Sequence, residues 1–158
     1  MRIPVQELVE MYKDNIYATA FNICKSAADA EDVVQDTFLQ YYMTKKEFDD
    51  EKHIRYWILR VAINKAKNIQ SSFRRKNEMS LEDYVETLTF ETPESRELFE
   101  EVMKLPEKYR VVIHLFYYED YSITEIAKVL DLPDATVKTR LKRGRDKLKK
   151  TLRKEDWL

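Results

Sequence analysis

The chain has 158 residues, room for one domain or two small ones, and its 44% hydrophobic content is enough for a core. One glycine and four prolines argue against a β-rich or loop-rich fold, while 36% charged residues suit a small all-α protein with much surface. The single cysteine excludes an internal disulfide and a cysteine-cluster zinc site. No apolar run is long enough for a membrane span, and the opening MRIPVQELVE lacks the apolar block of a signal peptide. The expectation is a soluble, cytoplasmic protein that does not insert in a membrane.

Val5, Leu8, Val9, Tyr12, Ile16, Ala20, Phe21 and Ile23 recur at helical spacing and predict a first helix over 5–25. Cys24 closes that pattern, which reads as a buried free thiol. Ser26 is a candidate N-cap for a second helix over 27–44, with Asp29 in its first turn. Projected at about 100° per residue, Ala27, Ala30, Val34, Phe38 and Tyr41 make the buried face. Asp29, Asp32, Asp36 and Gln40 line roughly the opposite face. Such a row could be solvated surface, a docking face for a basic partner, or a metal site built from carboxylate oxygens. The metal reading is weakest, because helical spacing spreads the carboxylates and no second ligand helix is evident. No metal or other cofactor is expected.

Residues 45–53, KKEFDDEKH, lose periodicity and read as a loop. A third helix follows over 54–75, with Ile54, Trp57, Ile58, Val61, Ala62, Ile69 and Phe73 inward. Arg60, Asn64, Lys67, Ser71 and Arg74 form a polar and basic stripe on another side. No acid stands between Glu51 and Glu78, so this helix is a nucleic-acid candidate, and Phe48 and Tyr56 nearby are of the type that stacks on unpaired bases. From Asn77 to Ser95 the character reverses: six acids and no base. This stretch (77–93) reads as an acidic linker between two small helical domains, 1–76 and 94–158.

The second domain opens at Pro93, a residue suited to the first turn of a helix, with Leu98, Val102 and Leu105 as core. Pro106 breaks it, and a helix over 107–118 follows; His114 sits within its apolar run and reads as a satisfied core histidine. Next come two helical patterns separated by Asp131-Leu132-Pro133. The first carries Ile123, Ile126, Ala127 and Leu130. On the second, Val137, Leu141, Gly144, Leu148 and Leu152 fall on one narrow stripe. From Ala135 to Lys154 there are ten basic residues and one acid, Asp146, inside a chain of formal net charge −1. A short helix packed on a longer, almost purely basic one is the helix-turn-helix arrangement, sized for a DNA major groove. The tail KEDWL reads as a frayed end.

Three segments, DAEDVVQDTFLQYY (29–42), WILRVAINKAKN (57–68) and LPEKYRVVIHLFYYEDYSITEIAKVLDLPDATVKTRLKRGRDKL (105–148), resemble an extracytoplasmic-function sigma factor, the minimal initiation subunit of bacterial RNA polymerase. The resemblance covers nearly the whole chain in the expected order. It implies that Asp29, Asp32, Gln35, Asp36 and Phe38 dock on core RNA polymerase. Residues 48–56, with Phe48 and Tyr56, would hold a base flipped from the −10 element, beside Asn64 and Lys67 and along the stripe of Arg60 and Arg74. The last helix would read the −35 element, with Lys138, Thr139, Lys142 and Arg143 at bases and Thr136, Arg140 and Arg145 at phosphates. Promoter DNA, core RNA polymerase and an anti-sigma factor are the implied partners, and the acidic linker resembles the segment threaded through the RNA exit path. Ala135 departs from the family pattern, which often has glycine there.

Two other classes are compatible with single features. A stand-alone helix-turn-helix regulator leaves the acidic stripe and the third-helix basic stripe unexplained. A metal-dependent nuclease using Asp29, Asp32 and Asp36 would show Mg²⁺-dependent cleavage; the sigma-like reading needs no catalytic residue.

Overall fold

The computed structural model describes residues 1–72 and 90–152, all of them helical or connecting. The chain divides into two units, Met1–Glu78 and Met79–Leu158.

In the first unit, α1 (Val5–Cys24), α2 (Ala27–Met43) and α3 (Glu51–Ser72) pack pairwise against one another. The α1–α2 corner is sharp because Lys25 takes a left-handed conformation, φ 56°, and its N–H caps Phe21 O. Ser26 then starts α2, its hydroxyl accepting from Asp29 N at 3.2 Å. The core is built from Leu8, Ile16, Ala20 and Ile23 of α1, Ala30, Val33 and Tyr41 of α2, and Ile54, Ile58, Ala62 and Ile63 of α3. Cys24 is buried as a free thiol, donating to Ala66 O at 3.6 Å.

The expected 45–53 loop is shorter than the sequence suggests, for α3 begins at Glu51. Asp50 explains the difference: its carboxylate accepts from His53 N at 2.8 Å and its carbonyl from Ile54 N at 3.2 Å. Residues 73–75, the expected last turn of this helix, lie outside the described residues, as do 77–89 of the acidic linker and the KEDWL tail.

The second unit contains α4 (Pro93–Met103), α5 (Glu107–Ile113), α6 (Ile123–Leu130) and α7 (Asp134–Leu152). Thr92 caps α4, accepting from Ser95 N at 3.0 Å. Beyond Ile113 the helix widens to a π turn over His114–Tyr118, with Glu119 N reaching back to His114 O at 3.1 Å. Helical spacing predicted a uniform helix here; it does not distinguish an α turn from a π turn. His114 is buried and paired, its Nε2 3.2 Å from the Glu119 carboxylate. Buried Arg110 donates to Leu105 O at 2.8 Å, satisfying a carbonyl just past the end of α4.

Candidate polymerase and nucleic-acid interfaces

The α6–α7 pair is a helix-turn-helix whose start, turn and register each have a local cause. A capping box opens α6: Glu125 N donates to Ser122 Oγ at 3.1 Å, and Ser122 N to Glu125 Oε1 at 2.8 Å. Asp131, left-handed at φ 58°, ends α6, and Leu132 N reaches Ala127 O at 2.9 Å. Thr124 Oγ1 donates to Asp134 Oδ2 at 3.1 Å and ties the two helices together across the turn.

All five residues of the predicted α7 stripe, Val137, Leu141, Gly144, Leu148 and Leu152, are buried. That burial turns the other faces outward. Lys138, Thr139, Lys142 and Arg143 are exposed, whereas Thr136, Arg140 and Arg145 are half-buried at the margins. Gly144 is the point of closest approach to α5: a Cβ built there would stand 3.1 Å from Ile113 Cγ1 and 3.4 Å from Tyr109 Cβ. An open cleft of about 350 Å³ lies between α5 and the start of α7, lined by Lys108, Tyr109, Ala135, Thr136, Thr139, Arg140 and Arg143. It gathers four of the seven residues expected to contact the −35 element and adds a cation, Lys108, that the sequence reading missed. Only the fold brings Lys108 beside α7.

Two of the basic residues have partners on the protein. Lys142 Nζ lies 3.0 Å from Asp146 Oδ2, and that hydrogen bond, with the positive charges of Lys142, Lys149 and Arg145, holds the Asp146 carboxyl below the usual carboxylate range. Arg145 donates to the Tyr117 hydroxyl at 3.3 Å, which draws it toward the π turn.

In the first unit, Asp32 and Gln35 are exposed on α2 and Asp36 is half-buried. Asp36 Oδ2 accepts from Gln40 Nε2 at 3.0 Å and lies 3.5 Å from Lys65 Nζ of α3. Two members of the expected docking set are corrected by burial. Asp29 points its backbone at the Ser26 cap and is 6% exposed, and Phe38 is 5% exposed in the core, so neither belongs to an open face. With Asp29 withdrawn, the three-carboxylate metal reading loses a ligand. The structure adds what the projection overlooked: Leu39, Tyr42 and Met43, at i, i+3 and i+4, are 53%, 67% and 69% exposed. A second apolar stripe at that spacing was the available signal.

On α3, Arg60 and Asn64 are exposed and Lys67 is half-buried, a stripe clear of the core; Arg74 lies outside the described residues. Tyr56 is half-buried with Lys52 Nζ 5.8 Å from its ring centre. Phe48 is corrected: at 2% exposure it packs on Tyr41 (5.8 Å between centroids), Trp57 (5.7 Å) and His53 (5.1 Å), and cannot itself stack on a base. It anchors the loop from beneath.

A chain with an acid-faced and base-faced helical unit, followed by a helix-turn-helix with one cationic side, is built as a transcription factor that meets both protein and DNA. Its sequence divides the same way: residues 8–79 match Sigma-70 region 2 and residues 95–148 match Sigma-70 region 4. It is 33% identical to the ECF RNA polymerase sigma factor SigW of Bacillus subtilis, over 93% of this chain and 88% of the relative. It is 31% identical to the ECF RNA polymerase sigma-E factor of Escherichia coli, over 76% and 72%. Among solved structures, CnrH in complex with the cytosolic domain of CnrY is 28% identical with a TM-score of 0.70, covering 94% of this chain and 86% of that one. The sigma factor RpoE in complex with the anti-sigma factor NepR, from Bartonella quintana, shares the fold at 18% identity, with a TM-score of 0.70 over 94% and 96%. The chain belongs to the ECF RNA polymerase sigma factors, and it is a promoter-specificity factor for RNA polymerase.

Proposed function

We propose that the two units divide promoter recognition between them. The α7 face of Lys138, Thr139, Lys142 and Arg143 reads bases of the −35 duplex, while Thr136, Arg140 and Lys108 hold phosphates from the adjoining cleft. The loop before α3, with Tyr56, Arg60, Asn64, Lys67 and Arg74, captures an unpaired base of the −10 element. Docking on core polymerase uses Asp32, Gln35 and Asp36 with the exposed Leu39, an apolar centre rimmed by acid. Residues 1–76 and 94–158 act as the two binding domains and 77–93 as the linker that joins them. Each domain alone grips DNA weakly. Attachment to polymerase at fixed spacing makes the binding bivalent, and the effective concentration supplies the affinity. Trapping unpaired bases drives melting, so the chain needs no catalytic residue or cofactor of its own and the polymerase does the chemistry, with both acting in the cytoplasm.

The observation that carries this reading is the register of α7, in which one buried stripe leaves a nearly unopposed cationic side outward. The structural relative at 28% identity was captured with the cytosolic domain of another protein. An anti-sigma factor that covers Leu39, Tyr42 and Met43 fits the same apolar patch on α2.

The test is run-off transcription with sigma-free core polymerase on a promoter library. Lys138→Ala is expected to change −35 use, and Asp36→Ala to weaken binding to core. Unchanged core affinity for Asp36→Ala removes the docking assignment, and an unchanged −35 preference for Lys138→Ala removes the readout assignment.

A further inference from the structure

Arg2 precedes every element of the fold, yet its side chain reaches the loop that leads into α3. Nη2 donates to Tyr41 O at 2.9 Å and Nη1 to Lys46 O at 3.0 Å. The guanidinium also lies over the Tyr41 ring, 4.5 Å from its centre, and 5.8 Å from that of Phe48. Tyr41 O is among the last four carbonyls of α2, which have no partner within the helix. The last turn of α2 contains no basic residue of its own, so Arg2 supplies the cation that a helix C-terminus favours. Its second hydrogen bond fastens the loop. The backbone beside it is held as well: the Tyr41 hydroxyl accepts from Ile3 N at 2.9 Å and donates to Ile3 O at 2.7 Å.

One planar side chain therefore clips residue 46 to the end of α2 and covers the ring cluster on which Phe48 rests. We propose that Arg2 is a positioning residue for promoter melting, which fixes the shape of loop 44–50 and through it the base preference at the captured −10 position. This rests on the assignment of that loop to base capture. A loop ordered before the base arrives loses less entropy on binding, and a fixed loop discriminates bases where a loose one adapts to them. Lysine cannot replace arginine here, because two carbonyls in different segments need a fork of two donors rather than a point charge.

The experiment is transcription by core polymerase with the full chain, from promoters randomised in the −10 and −35 elements, with the transcripts sequenced. Arg2→Ala is expected to flatten the preference at one −10 position about fivefold, the loss of roughly one net hydrogen bond. The −35 preference and core affinity stay at wild-type values. Arg2→Lys, which perturbs folding less, flattens the same position nearly as far. A role in stability alone would lower transcription from all promoters together and leave the preference intact, which would overturn the proposal. Tyr56→Ala, measured alongside, separates the two layers. If it flattens that position and neither Arg2 variant does, Arg2 is not a positioning residue and the loop assignment stands. If none of the three moves it, the loop assignment falls, and the role of Arg2 with it.

Discussion

Gly144→Ala tests whether α7 is set by close packing. Two effects oppose each other. Alanine inside a helix is favoured over glycine by about 1 kcal/mol. The added methyl would stand 3.1 Å from Ile113 Cγ1, 3.3 Å from Ile113 Cδ1 and 3.4 Å from Tyr109 Cβ. Tyr109 Cβ is fixed to the backbone of α5, and Ile113 is a buried, β-branched side chain with few alternative rotamers. Overpacking of this kind costs about 1–3 kcal/mol, so crowding outweighs propensity and the net loss is about 1 kcal/mol. Urea-dependent hydrogen exchange at the amides of α7 measures it in the intact chain, independently of the first unit. Ile113→Val removes Cδ1 and its 3.3 Å contact, so in that background the loss shrinks. A gain of the full alanine preference in the wild-type background would refute the close approach, and with it the reason this helix carries the chain's one glycine.

Ser122→Ala removes the hydroxyl arm of the α6 capping box and is expected to lower the stability of the helix-turn-helix by about 1 kcal/mol, read from the same exchange experiment. The Asp146 carboxyl should titrate by NMR below the ordinary aspartate range, because Lys142 donates to it. Its folded-state value is depressed, so its stabilising contribution is present at neutral pH and lost as the pH falls through that value. Lys142→Ala should move the midpoint up, and an unmoved midpoint would assign the shift elsewhere. Arg140→Ala should weaken DNA binding almost uniformly across sequences and lower the salt slope by about one phosphate contact; a change in base preference instead would place Arg140 at a base.

Much of this was legible in one dimension because helical burial is periodic. The α7 stripe emerged with its register because five apolar or small residues recur amid polar ones, leaving no competing face. Ser26, Cys24 and His114 were legible for local reasons of capping chemistry and apolar surroundings. What failed depends on contacts distant in sequence. Phe48 looked like an exposed loop aromatic, and only packing against Tyr41 and Trp57, under Arg2, buries it. Asp29, projected onto the acidic face of α2, is buried where the helix starts at the Ser26 cap, whereas Phe38 is buried as its projection gave and entered the docking set only through the family resemblance. The ion pair between Asp36 and Lys65 joins separate helices, and no spacing rule within either one predicts it.

The division of labour between two weak grips is tested most directly on a promoter fragment carrying a fluorescent base analogue in its −10 element. Anisotropy and base fluorescence are read with the chain alone and with core polymerase added. The chain alone should bind weakly and leave the duplex closed at physiological salt. With core present, binding should become tight and sequence-specific and the −10 signal should rise. Tight, specific binding by the free chain, with nothing gained from polymerase, would contradict the account.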